Sequence, residues 1–209
     1  MGNGRTWAAV KRRFSGSRRT SDERGAVLIE ALIVIPVLMM ITLGIIEYGG
    51  AYREDSTVAA ASRAGARVAS ALSKQPFGVS NAPADAGVAT ETAAASVLQS
   101  LGSNAPQQLW IYQVTGASGC SPPTFGGCSY KVGYQWVPGS KSFDPNPITG
   151  STAWPASAQN ACAGGPPDEV GVWITVNHTA VTHMFGTGRA LTGQTVMRLE
   201  PSVNSDCDS

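Results

Sequence analysis

The chain has 209 residues, of which 14% are charged, and a formal net charge of +1; soluble domains usually carry about a quarter charged residues, so apolar, glycine and other small residues dominate here. The near-neutral total hides an asymmetry, because residues 1–25 hold Arg5, Lys11, Arg12, Arg13, Arg18, Arg19 and Arg24 against only Asp22 and Glu23, which leaves the rest of the chain net acidic. A short cationic head in front of an apolar run reads as a topology signal and not as a nucleic-acid arm, so no nucleic-acid partner is expected.

The apolar run follows at once. Ala26 to Ile46 holds a single charge, Glu30, and its 21 residues rise by about 30 Å as a helix, the thickness of a bilayer's hydrocarbon core. Residues 26–48 are therefore expected to cross a membrane once, with Pro36 tolerated as a kink. The Lys and Arg excess before the span puts residues 1–25, a basic leader, in the cytoplasm and the C-terminal portion outside. A cleavable secretory signal is the competing reading. The apolar run is too long for one, contains Glu30 and Pro36, and is followed by "EYGGAYRED", a poor cleavage pattern.

A carboxylate in lipid costs roughly 2.5–3.5 kcal/mol near the centre of a span and less toward its end, so Glu30 calls for a partner. A cut between Gly25 and Ala26 would create a cationic α-amine and make Glu30 the fifth residue of the shortened chain. The carboxylate could then offset the amine of a neighbouring subunit and set the register of stacked helices. Without such a cut, the helix dipole and interfacial water would favour an acid at that position. Glu47 lies at the outer membrane edge, where an acidic residue is cheap.

"RGAVLIEALIVIPVLMMITLGIIEYG", residues 24–49, resembles the signature of the TadE-like pseudopilins of the tight-adherence (Flp) pilus, in the order Arg-Gly, Glu30, Pro36, Gly44 and then Glu47-Tyr48-Gly49. A softer similarity lies in "MRLEP", residues 197–201, while Ala31 stands where family members often carry an aromatic. The resemblance implies processing at Gly25 and Ala26 by a prepilin peptidase and a subunit-registering role for Glu30. It also implies partners: a major pilin and other pseudopilins, inner-membrane platform proteins and a secretion ATPase, besides membrane lipid.

Beyond the span, residues 49–75 read as a helical stalk. They are rich in Ala, lack Pro before Gln75-Pro76-Phe77-Gly78, and place Val58, Ala61, Gly65, Val68 and Leu72 on one face. Ala61, Gly65 and Ala69 form a small-residue stripe that either faces the protein's own exterior domain, the favoured reading, or admits a helix of another subunit. Residues 76–209 form the exterior domain. After a linker, "GVSNAPADAG", residues 85–101 read as a second helix with Val88, Ala95, Leu98 and Leu101 inward and Gly102 as its stop.

Period-two alternation then takes over. Leu109 to Val114 reads as one strand, and Tyr130, Val132, Tyr134 and Trp136 mark a second. Val170, Val172, Ile174 and Val176 mark a third, and Thr195, Met197 and Leu199 a fourth. With no crossover helices between strands, the class is α+β, a small antiparallel sheet covered on one face by helices. Residues 138–167 show no periodicity and are expected to be a long loop tied down by cysteine. Cys120, Cys128, Cys162 and Cys207 all follow the span, which fits two disulfides made in an oxidising compartment. Three connectivities are open, with Cys120–Cys128 and Cys162–Cys207 favoured.

Catalytic and cofactor chemistry finds no support. The Cys120 and Cys128 spacing does not suit zinc, and His178 and His183 accompany no metal or nucleophile motif and read as surface or packing residues. Asp168 and Glu169 are adjacent and would point to opposite faces of a strand. The expected protein is a non-catalytic pilus-assembly component without metal or cofactor. The alternative is a single-span envelope protein whose exterior domain binds a ligand or cell-wall component. Trp110, Trp136, Trp154 and Trp173 are expected mainly in the core, with Trp154, in the loop, the candidate for surface recognition.

Overall fold

The computed structural model describes residues 19–79, 84–102, 105–161, 166–182 and 186–201, with side chains from Gly25 onward. Most of the basic leader, and Cys162, His183 and Cys207, lie outside the described residues. Helix α1 spans Arg19–Ala71 and contains Pro36, and helix α2 spans Ala86–Leu98. The strands are β1 (Pro106–Val114), β2 (Lys131–Val137), β3 (Ser142–Phe143), β4 (Glu169–Thr179) and β5 (Gly188–Arg198). They form one antiparallel sheet in the order β3-β2-β1-β4-β5, which is the expected α+β class with one short additional strand.

The chain divides into two units, Met1–Ile46 and Glu47–Ser209. In the first, α1 shows its apolar side chains to the surroundings, with Val27, Leu32 and Ile33 each more than 60% exposed. The helix is long and apolar enough to cross a membrane, with a mean hydropathy of 2.6 over its most apolar stretch.

In the second unit, small residues decide how α1 meets the sheet. Ala51, Val58, Ala61, Ser62, Gly65, Ala66, Ala69 and Ser70 are buried and recur at three- and four-residue spacing along one face. A Cβ on Gly65 would lie 3.3 Å from Val172 and close to Thr90 and Ala94, so α1, α2 and β4 meet there. A Cβ on Gly193 of β5 would lie only 2.7 Å from the Val58 carbonyl, closer than the helix backbone allows. The stripe thus faces the protein's own domain, and the Ser62 and Thr195 hydroxyls join across it at 2.8 Å.

Helix α2 starts where Asp85 accepts from the Gly87 and Gly78 amides at 2.7 and 3.1 Å, satisfying donors that the first helical turn leaves unpaired. It buries Ala86, Gly87, Thr90, Glu91, Ala94, Ala95 and Leu98. That face differs from the expected one by including two polar residues and leaving Val88 only half-buried.

The sheet's helix-covered face carries Leu109, Ile111, Val132, Tyr134, Trp136, Val170, Val172, Ile174 and Val176, all buried in one core. Its other face has a smaller cluster in which Phe125 stacks on Trp110, with ring centroids 5.2 Å apart, and meets Tyr112 and Trp173. The Cys120–Cys128 disulfide closes the loop that carries Phe125, its Cα atoms 4.5 Å apart; the second expected bridge falls outside the described residues.

The described part of the long loop, residues 138–161, is held by backbone pairing with distant segments. Trp154 and Phe77 exchange two amide hydrogen bonds of 3.0 Å and stack, Thr152 pairs with Lys131, and Ile148 donates to Gly133. Trp154 is 1% exposed, so the indole that stood as the candidate for surface recognition is a core residue that pins the loop.

Candidate functional site

The geometry worth most attention lies where the apolar run ends. Glu47 directly follows Ile46 in α1, yet its side chain is only 8% exposed. The hairpin joining β4 and β5 reaches it: the Val181 amide donates to both carboxylate oxygens at 3.0 Å, the Thr182 amide at 3.1 Å and the Thr182 hydroxyl at 3.3 Å. Hydrogen bonds from several backbone donors to one ionised carboxylate are among the stronger kinds.

His178, 8% exposed, completes the arrangement. Its Nδ1 lies 2.9 Å from Glu54 Oε2 and its Nε2 3.5 Å from Glu47 Oε1. The first distance is a hydrogen bond and the second a looser electrostatic contact. Both ring nitrogens face carboxylates, and only the doubly protonated ring donates at both ends. Glu47 and Glu54 are seven residues apart and share a face of α1, with buried Ala51 between them. His178 continues the inward alternation Val170, Val172, Ile174, Val176 along β4. A helix face and a strand face thus converge on one charged cluster, which clasps the hairpin tip to α1.

Sequence reasoning had placed Glu47 at a wet boundary and had not singled out Glu54. The signals that point to the clasp are the seven-residue acidic spacing and the extension of the β4 alternation to His178. Among the described residues no group of His, Cys, Asp and Glu is placed to hold a metal ion. The clasp holds structure together.

The other motif residues stand differently. Glu30 is exposed, and among the described residues nothing pairs with it. Gly25 is exposed with open space around its Cα. Ala26 and Pro36 are also exposed, and Gly44 is half-buried; Gly49 has room for a Cβ. Gly25, Ala26 and Glu30 belong to the first unit and the clasp to the second.

A second polar locus lies under α2. Glu91 is 4% exposed and one of its carboxylate oxygens has no hydrogen-bond partner among the described residues. Burial pushes its pKa up to about 7, partly opposed by the Thr92 hydroxyl and the Phe143 amide and reinforced by Asp144. The buried Tyr134 hydroxyl also lacks a partner, and burial, Asp85 and Glu91 push it upward.

No curated protein and no solved structure matches the chain. Residues 25–67, which run from the Gly25-Ala26 pair through Glu30 and Glu47 into the buried stripe of α1, match the family described as TadE-like protein.

Proposed function

We propose that this chain is a membrane-anchored minor pseudopilin that takes part in assembly of a tight-adherence pilus and carries no catalytic activity of its own. The observation that carries the reading is a coincidence: the TadE-like match covers the stretch in which an apolar helix exposes its side chains and holds one carboxylate with no partner among the described residues. In this reading residues 1–25 are a cytoplasmic leader, residues 26–48 cross the membrane once, and a prepilin peptidase cuts between Gly25 and Ala26. Residues 49–75 continue the helix outside, and residues 76–209 make up the exterior domain. Glu30 pairs with the new α-amine of a neighbouring subunit, because each charge is penalised in lipid and the pair is not. The partners are the major pilin, other pseudopilins, the inner-membrane platform and its secretion ATPase.

Glu30→Ala tests the reading. The variant is expected to reach the membrane at the normal level, keep its exterior fold and fail to support filament formation; Glu30→Asp should rescue in part. Normal filaments from Glu30→Ala would overturn the registering role. The ligand-binding alternative loses its candidate residue, since Trp154 is core.

A further inference from the structure

Among its described residues, the hairpin between β4 and β5 carries one apolar side chain that the fold leaves exposed. Val181 is 75% exposed, against 41% for Val196 in the neighbouring strand. Its amide, and that of Thr182, are consumed by Glu47, the residue that adjoins Ile46, the last of the apolar run. Tyr48 and Tyr52, one turn apart on α1, are 72% and 68% exposed.

We propose that Val181, Tyr48 and Tyr52 form a second membrane contact, seated in the outer headgroup and upper acyl region of the bilayer. The proposal rests on reading the apolar helix as a membrane anchor. Three observations select lipid as the occupant.

The first is depth. Tyr48 and Tyr52 lie two and six residues past Ile46, about 3 and 9 Å along a helix; the interfacial layer outside the hydrocarbon core is about 5–8 Å thick, so Tyr48 falls within it and Tyr52 at its outer edge. Tyrosine has an apolar ring and a polar hydroxyl, which suit that layer. The second is backbone satisfaction: lipid tolerates a non-helical tip only if its amides have partners, and Glu47 supplies them at Val181 and Thr182. The third is charge. Glu47 hides its carboxylate among those donors, so the first exposed charge past Ile46 on α1 is the cation Arg53, ahead of Asp55. Residues 183–185 lie outside the described residues and take no part in the argument.

The test uses the full chain in nanodiscs of phosphatidylcholine and phosphatidylglycerol. Val181, Ile41 and Thr192 are replaced, one at a time, by a ketone-bearing amino acid that accepts a nitroxide, which leaves the cysteines alone. Collisions with oxygen, which enters lipid, and with a nickel chelate, which does not, report depth.

Position 181 is expected to show an oxygen-to-nickel collision ratio several-fold above that of position 192 and below that of position 41. A nickel-accessible label at 181, with 41 deep in lipid, would overturn this contact and leave the anchor standing. A label at 181 shielded from both reagents would mean that another copy of the chain covers it, which also overturns the proposal. A nickel-accessible label at 41 would bring down the anchor reading and this contact with it.

Discussion

Two carboxylates on one helix are answered in opposite ways. Glu47 finds its donors inside the chain, in the Val181 and Thr182 amides, the Thr182 hydroxyl and the His178 ring, whereas Glu30 has none among the described residues. Their substitutions should therefore separate cleanly. Glu47→Ala strands the Val181 and Thr182 amides, and is expected to cost about 2–3 kcal/mol. Hydrogen exchange at Val181 and Thr182 should accelerate by at least tenfold. Glu30→Ala should leave those amides as protected as in the parent protein. His178→Ala is expected to fall between the two, because it removes a ring held well by Glu54 and loosely by Glu47. Equal protection in Glu47→Ala and the parent would remove the clasp from the account. Glu47 was visible in the sequence as a motif residue, but its inward turn was not, because its partners lie more than 130 positions away.

At the scale of elements, α2 carries a cost that pH reveals. Glu91 titrates at about 7 in the fold against an ordinary 4.5, so between those values the folded chain holds a proton that the unfolded chain has released. Stability contributed by this group is then fully present below about pH 4.5, falls as pH rises through that window and is flat above about 7. Glu91→Gln should remove this fall and stabilise the protein at pH 8 by at most about 3 kcal/mol. Urea unfolding of parent and variant at pH 5 and pH 8 measures it, and an unchanged slope with pH would contradict the burial argument.

The Phe125 loop makes a second prediction at this scale. Opening Cys120–Cys128 by a double Ser substitution should cost about 2.5 kcal/mol and raise the exposure of Trp110 and Trp173, read as a red shift in fluorescence.

The core strands were legible, because alternation at Val170 to Val176 and Val132 to Trp136 matches the buried rows, and so was the stripe through Ala61 and Gly65. Strand β3 and the pinning of Trp154 were not. A two-residue strand has no period, and Trp154 owes its burial to backbone pairing with Phe77, a contact that no local pattern encodes. Glu91 was missed for a related reason: a charged residue reads as outward until its partners Phe143 and Asp144 are known to lie over it.

For the whole molecule, the sequence divides into an apolar helical stretch that exposes its side chains and a folded portion that buries its own. The TadE-like match, residues 25–67, runs across both units; hydropathy marks the apolar stretch and helical spacing the inner stripe of α1, while the sheet shows only in alternation. The proposed function asks one thing of the N-terminus, that residues 1–25 be removed so that Ala26 bears the amine that Glu30 answers. Intact-mass and N-terminal analysis of the membrane-extracted protein decides it. The account predicts a chain beginning at Ala26, and an uncut chain in Gly25→Ala; a parent protein that still carries its basic leader in membranes where filaments assemble would contradict it.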